Sequence, residues 1–301
     1  MNNRLTDLSN LGTNGFTVLN SIVNPQEFSS NNLIENSLRI ALNCNSFYYS
    51  LLNNDCETNC IFSNIISNKF QQLLSHIFPD SRFIAGSFLV KPAFEYSELN
   101  LHQDWSFTDE KKYTPITAWA PIVDTNEESG GMFFLKGSHN LLNNLRSDSY
   151  KTPYFSLKEV GRDNVETVIV NKGDILLFNP ATWHGSFNNI SQEARCAFTC
   201  IILPNEAPFY YYHKYSPEIA QRYTVPDNIM EKFLAEIRKG KDPSELFGKY
   251  DYLSYIDAQP TCSELIAKHK NKEKIIYDKR WPLSKSHVTK WLQSLSIFKN
   301  P

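Results

Sequence analysis

The sequence predicts a mainly β fold, a jelly roll of about eight strands, with flanking helices and a helical C-terminal extension. Three observations carry this. From Arg82 onward the apolar residues fall into short runs broken by polar or proline-containing turns, the pattern of a sandwich or barrel and not of a parallel α/β sheet. Before Arg82 the period is helical, with Phe62, Ile65, Ile66, Phe70, Leu73, Leu74 and Ile77 on one stripe. A hydrophobic content of 41%, with 13% aromatic residues, is ample for a core in a chain of 301 residues, one large domain or one domain with a substantial extension.

The elements follow in order. Gly15-Phe16-Thr17-Val18-Leu19 reads as an opening strand, and Asn24-Pro25 as a helix start, an N-cap followed by proline at the first helical position. Residues 33–42 and 62–77 have helical apolar spacing, and Pro79 ends the second. Both are scaffold packed outside a sheet, and His76 is a helix-end residue. Strands are expected over 82–91, 99–105, 115–123, 131–135, 165–170, 174–178 and 194–203. After Pro204 comes an aromatic stretch with Phe209, Tyr210, Tyr211, Tyr212 and Tyr215, then helix-like segments over 227–239, 263–268 and 284–294. Residues 1–204 therefore read as the barrel domain with its scaffold helices, and 205–301 as a helical extension packed on it. The extension is a candidate cap, a cover for the site mouth or a homo-oligomer interface; the sequence does not choose.

A net charge of −2 gives no electrostatic reason to expect nucleic acid or an anionic membrane as partner. The first residues, Met1-Asn2-Asn3-Arg4-Leu5-Thr6-Asp7, lack the apolar core of a signal peptide. No run of about 18 apolar residues is present. A cytoplasmic protein is expected. Cys44, Cys56, Cys60, Cys196, Cys200 and Cys262 read as free thiols. His213, His269 and His287 have no metal-ligand partner at useful spacing.

The chemistry gathers in two segments. His102 and Asp104 are two apart, and strand alternation puts them on one face. Alone this is weak, because two polar residues on a wet strand face look the same. The second segment, Asn179-Pro180-Ala181-Thr182-Trp183-His184-Gly185-Ser186, has Arg195 behind it. Two histidines and one carboxylate make the facial triad of non-haem Fe(II) oxygenases, and arginine offers a fork of donors for a carboxylate. A 2-oxoglutarate cosubstrate needs both. Ser186 shares the His184 face, and Gly185 leaves room beside a metal. An inward Arg195 in an apolar barrel needs a partner: a diacid ligand is one, and a structural acid such as Asp174 or Glu193 is the other. Thr117 and Trp119 share a face and border cosubstrate or substrate if that face is inward, although Trp119 is large enough simply to fill core. Trp105 and Phe107 are candidates to wall the substrate entrance. Lys91 is either a lysine near the mouth that attracts an anionic substrate or a solvated side chain.

The region 15–204 resembles the phytanoyl-CoA dioxygenase family of Fe(II)/2-oxoglutarate oxygenases. The match runs in order through Gly-Phe-Thr-Val-Leu at 15–19, Leu-His-Gln-Asp-Trp at 101–105 and Ile-Thr-Ala-Trp-Ala-Pro-Ile-Val-Asp at 116–124. It continues through Glu-Ser-Gly-Gly at 128–131, Lys-Gly-Ser-His at 136–139, Gly-Asp-Ile-Leu-Leu-Phe at 173–178, and His-Gly-Ser at 184–186 with Arg195. The resemblance implies a double-stranded β-helix with iron held by His102, Asp104 and His184. It implies Arg195 as partner of the 2-oxoglutarate C5 carboxylate, helped by the Ser186 hydroxyl. It implies a dioxygenase that uses O2, releases succinate and CO2, and hydroxylates an unactivated C–H of a small molecule: a secondary-metabolite intermediate, an amino-acid-like compound or an acyl substrate. Related halogenases lack the carboxylate that Asp104 supplies, so hydroxylation is favoured, with desaturation and rearrangement left open. Lys136 stands where the family usually has proline, which implies a changed loop, and His139 in that turn reads as structural. The competing readings are a non-catalytic barrel that binds a small ligand or protein, and a cupin-like metalloenzyme that needs no 2-oxoglutarate.

Overall fold

The computed structural model describes residues 3–24, 46–52, 56–94, 96–142, 144–150, 152–227, 232, 235–237, 239–255 and 259–272. The expected helix over 33–42 and the segment 284–294 lie outside them.

The strands of the first two thirds are β1 (Phe16–Leu19), β2 (Tyr48–Tyr49), β3 (Ser81–Lys91), β4 (Leu99–His102), β5 (Ile116–Pro121), β6 (Met132–Phe134), β7 (Glu166–Val168), β8 (Ile175–Phe178), β9 (His184–Ser186) and β10 (Arg195–Pro204). They form two antiparallel sheets, a six-stranded one in the order β1-β8-β5-β10-β3-β2 and a four-stranded one in the order β4-β9-β6-β7. This is the jelly-roll arrangement the strand pattern predicts, with neither sheet closed on itself.

Alternation along β10 shows how the sheets use their faces. Cys196, Phe198, Cys200 and Ile202 pack against helix α2 (Cys56–Leu74) through Phe62, Ile66, Phe70 and Leu74, and against Leu8 and Leu11 of α1 (Asn3–Asn14). Ala197, on the other face, joins Trp119, Met132, Phe134, Leu176 and Phe178 between the sheets. The stripe read over 62–77 is thus the buried side of α2. Helix α1 is absent from the sequence reading, because an asparagine-rich stretch with Leu8 and Leu11 as its buried residues carries little periodic signal.

α2 lies directly on a bulge in β3. Thr199 pairs with Ser87 but Ile201 pairs with Ile84, so Ala85 and Gly86 together oppose one residue. Ala85 adopts φ 56°, and Gly86 N–H donates to Ser67 Oγ at 3.0 Å. A Cβ on Gly86 would sit 2.5 Å from Ser63 O and 2.6 Å from Ser67 N, both backbone atoms of α2. Gly86→Ala is therefore expected to lose about 1–3 kcal/mol through overpacking, measured as a lower denaturant midpoint at unchanged slope.

The region after Pro204 departs from the helical expectation. It opens with a three-stranded antiparallel sheet, β11 (Tyr210–Ser216), β12 (Ile219–Thr224) and β13 (Tyr250–Ser254), with short helix α4 (Pro243–Phe247) between the last two. Helix α5 (Cys262–Lys270) follows, over the segment read as 263–268. (The single turn Leu157–Val160 is α3.) The reason for the difference is the aromatic run itself. Tyr211 packs with Tyr223, Ile84 and Ile201 on one face, and Tyr212 with Tyr150 and Ala220 on the other. That is strand alternation in residues of high β-propensity. The segment read as 227–239 is described only in part. Among the described residues, no helix is long and apolar enough to cross a membrane.

Candidate metal centre

β4 and β9 are neighbours in the four-stranded sheet, and His102 and His184 face each other across them with ring centroids 4.5 Å apart. Asp104 lies two residues on, beyond the end of β4, so the strand expected over 99–105 stops early. Backbone contacts replace the ladder there. Asp104 N–H donates to Pro180 O at 2.9 Å, and Gln103 Nε2 to Ala181 O at 2.5 Å. The receiving loop is itself pinned: Asn179 Oδ1 accepts from Ala181 N at 2.9 Å, and Thr182 Oγ1 donates to Gly15 O at 3.1 Å. Asp104 Oδ1 is thereby brought to 3.9 Å from His102 Nε2 and 3.7 Å from His184 Nε2. One donor atom from each of the three residues lies within 4.8 Å of the other two.

The imidazoles are oriented from behind. His102 Nδ1 is 2.7 Å from Asn100 O, and His184 Nδ1 is 2.8 Å from Thr182 O. A proton on each Nδ1 satisfies those carbonyls and leaves both Nε2 lone pairs aimed at the shared point. Burial, and then the neighbouring His184, push His102 down to about 4. It is therefore neutral at pH 7, the state a metal ligand needs. Phe134 stacks on His184 at 5.6 Å and Phe178 lies at 4.8 Å, so the inner side is dry.

Gly185 serves a different purpose from the one expected. A Cβ there would sit 2.5 Å from Leu99 O and 2.5 Å from Phe133 Cζ, on the face away from His184. The missing side chain makes room for the Phe133 ring, not for a metal.

Arg195 starts β10 on the inner face and is buried. Its guanidinium lies over the Trp119 ring at 5.4 Å, and its Nε has no hydrogen-bond partner. The acids considered as structural partners do not take it. Asp174 is occupied by the backbone N–H groups of Ser21 and Asn171. Glu193 borders the same small cavity as Arg195, but among the described residues no carboxylate is within ion-pair distance. Burial pushes Arg195 down to about 10, so it stays charged at pH 7.

Lys91 is not at a solvated mouth. It pairs with Arg195 across β3 and β10, is fully buried, and its ammonium donates to Ser97 O at 2.6 Å, Phe187 O at 2.5 Å and Ser186 O at 3.4 Å. Burial, then Arg195, push it down from 10.5 to about 6. The unfolded chain keeps this proton up to about 10.5, so between the two values it binds more protons than the folded chain, and raising pH stabilises the fold. Wild type is expected to gain stability from pH 6 to pH 9 by more than Lys91→Met does, as measured by urea unfolding at the two pH values.

Residues 49–197, which enclose the two histidines, Asp104 and Arg195, match the family model described as Phytanoyl-CoA dioxygenase (PhyH). This stretch belongs to that family. PhyH proteins are Fe/2-oxoglutarate-dependent oxygenases. The fold is similar to HygX from Streptomyces hygroscopicus, solved with nickel and 2-oxoglutarate bound, at 19% identity and TM-score 0.48 over 67% of this chain and 87% of that one. It is similar to the α-ketoglutarate-dependent epimerase SnoN from nogalamycin biosynthesis, at 16% identity and TM-score 0.47 over 69% and 86%. AviO1 from Streptomyces viridochromogenes Tue57 is 15% identical, with TM-score 0.49 over 68% and 97%. No curated protein sequence matches the chain.

Within the PhyH domain the other candidates fall into two groups. Thr117 and Trp119 are buried on the inner face, where Thr117 pairs with Phe178 and Trp119 with Thr199. Ser186 is buried on the His184 face. Trp105 and Phe107, just past Asp104 in the chain, are half-buried and packed towards Phe209, Tyr211 and Tyr223 of the C-terminal region. His139 is buried in its turn, with Nε2 3.1 Å from Gly12 O. Lys136 points outward to Glu166 at 3.2 Å. The sequence does not single out Tyr154, whose ring stacks on His102 at 5.4 Å and is 56% exposed. It lies in a loop without period, and its only sequence signal is a tyrosine after a proline.

Proposed function

We propose that this protein is an Fe(II)- and 2-oxoglutarate-dependent dioxygenase that hydroxylates an unactivated C–H bond of a small molecule. The observation that carries this is the convergence of His102, Asp104 and His184 within 4.8 Å, with a buried Arg195 that has no carboxylate partner among the described residues on the inner face of the facing sheet. The donor set fits iron. It offers two imidazoles with their Nε2 atoms turned to one point and one carboxylate, and it leaves coordination positions free. When bound, iron and cosubstrate supply the oxidation, in which O2 converts 2-oxoglutarate to succinate and CO2 and one oxygen atom reaches the substrate C–H.

The chain's own contribution is binding, orientation and exclusion of water. Arg195 offers its donor fork to the far carboxylate of the cosubstrate, and the Trp119 face beneath it limits where the guanidinium can swing. Lys91, on the adjacent strand, lies beside Arg195 but, pushed down to about 6, carries little charge at pH 7, so the charge at that end rests on Arg195. Ser186 and Thr117 supply hydroxyls along the way, and Phe134 and Phe178 keep the inner side dry. On the outer side Asp104 is 32% exposed, and Tyr154, Trp105 and Phe107 line the approach that a substrate would use. The substrate classes favoured are a secondary-metabolite intermediate, an amino-acid-like compound or an acyl compound. In this reading residues 1–204 form the oxygenase domain. The C-terminal region packs beside Trp105 and Phe107 through Phe209, Tyr211 and Tyr223, and is the candidate for any homo-oligomer contact.

The test is an anaerobic titration of the Fe(II) protein with 2-oxoglutarate, following the weak visible charge-transfer band of the chelate, and then succinate after O2 is admitted. A band and succinate are expected. Bound iron with neither would return the chain to the reading of a ligand-binding barrel.

A further inference from the structure

We propose that Arg146 is a positioning residue for Asp104, acting from a strap, residues 144–150 and 152–155, that the three-stranded C-terminal sheet holds in place. This rests on the metal-centre reading above. Asp104 is outside the β4 ladder, so its direction depends on what grips its two peptide groups. Its N–H is held by Pro180 O. On the other side its carbonyl accepts from Arg146 Nε at 2.6 Å.

Arg146 is 1% exposed, and its donors are shared among fixed acceptors. Nη1 donates to Asn144 O at 2.8 Å and Nη2 to Glu110 Oε1 at 2.6 Å, with the Glu110 side chain only 10% exposed. Ser106 N–H donates to Arg146 O at 2.8 Å, and Arg146 N–H to Ser106 Oγ at 3.3 Å. The turn 104–110 and the strap are thus closed into one unit around a single guanidinium. A buried cation is tolerated only when its donors are satisfied, and a lysine, a point donor, does not reproduce a fork that spans three acceptors.

The same strap touches a second ligand. Phe155 and Leu101 exchange backbone hydrogen bonds at 2.8 and 3.0 Å, which lays Tyr154 against His102. Its other anchors are in the C-terminal sheet. Tyr211 Oη donates to Asp148 Oδ1 at 2.7 Å, and Lys214 N–H to Ser149 Oγ at 2.9 Å. Tyr150 sits in a cluster with Tyr212 and Ala220 and meets Tyr255 edge-on at 5.2 Å. The C-terminal sheet is thereby coupled to the metal centre.

The test is the affinity and visible spectrum of Co(II) bound to wild type, Arg146→Lys, Glu110→Gln and Tyr211→Phe, with Arg82→Lys as control. Arg82 also clamps backbone carbonyls, Pro204 O at 2.8 Å and Asn205 O at 2.9 Å, but in the turn after β10. Arg146→Lys is expected to bind Co(II) about 10- to 100-fold more weakly, as loss of an outer partner does, with altered visible bands. Glu110→Gln and Tyr211→Phe are expected to shift both readouts in the same direction by less, and they carry the test if Arg146→Lys does not fold. Arg82→Lys is expected to melt earlier with unchanged Co(II) binding. Wild-type affinity and spectrum in the folded strap variants would overturn the proposal, whatever their melting temperatures. Failure of wild type itself to bind Co(II) would instead bring down the metal-centre reading, and this inference with it.

Discussion

His184→Ala is expected to abolish the charge-transfer band and to weaken Fe(II) binding by about 100-fold or more, beyond the 10- to 100-fold that loss of an outer partner costs. The residue is buried between Phe134 and Phe178, so solvent has little room to reach the vacated position. The two remaining donors, His102 and Asp104, come from one short segment, whereas His184 ties the ion to the neighbouring strand. The contrast that makes the result specific is His139→Ala. His139 is equally buried, yet its ring nitrogen lies beside Gly12 O and the Asn140 amide, away from the triad. It is expected to lower the melting temperature and leave metal affinity alone. Equilibrium dialysis under anaerobic conditions reads both. Retained stoichiometric iron in His184→Ala would remove this residue from the site.

Arg195→Met is expected to do two opposite things. Cosubstrate affinity, read as the midpoint of the visible band, should weaken by about 2–5 kcal/mol, the usual cost of removing one partner of a buried hydrogen-bonded charge pair. That is roughly 30-fold to several thousand-fold at 1.4 kcal/mol per decade. The protein without cosubstrate should become no less stable, and even more so, because the variant takes away a buried charge that has, among the described residues, no carboxylate partner and an Nε with no acceptor. Loss of the Arg195 charge, which helps to push Lys91 down, adds to the same sign. A guanidinium kept for structure predicts the reverse on the second count. Thermal unfolding with and without 2-oxoglutarate separates the two: wild type should be stabilised by the ligand, and Arg195→Met should not. Loss of stability in the free variant with unchanged affinity would assign Arg195 to the core.

Much of the site was legible because its chemistry sits in residues whose type is informative. His102, Asp104 and His184 stand in two compact motifs; alternation holds for His184 and Ser186 on β9, whereas Asp104 reaches the same point from beyond the end of β4. That Trp119 and Thr117 share a face was readable from the strand period, but which way that face points was left open until the helix was seen to cover the other one. Lys91 was not readable. A lysine at the end of a strand looks solvated until the carbonyls of Ser97, Ser186 and Phe187 are brought around it, and two of those lie 95 or more residues away. Gly185 failed for the same reason, because the Phe133 ring that needs its space arrives on a different strand. Arg146 and Tyr154 sit in a loop with no period, where nothing local marks one polar or aromatic residue above another.

By itself the sequence determined the β class of the first two thirds and the helix that backs the six-stranded sheet, and it singled out His102, Asp104, His184 and Arg195 as candidates while leaving open which way Arg195 points. These follow from period and side-chain chemistry, which are local. The tertiary structure alone decided that Asp104 is aimed by backbone hydrogen bonds beyond the end of its strand, that Arg195 meets a lysine and a tryptophan but no acid among the described residues, and that the tyrosine-rich region is a sheet joined to the strap beside the candidate metal centre. Each of these depends on which distant backbone carbonyl or ring comes within reach, and only the packing of the two sheets sets that.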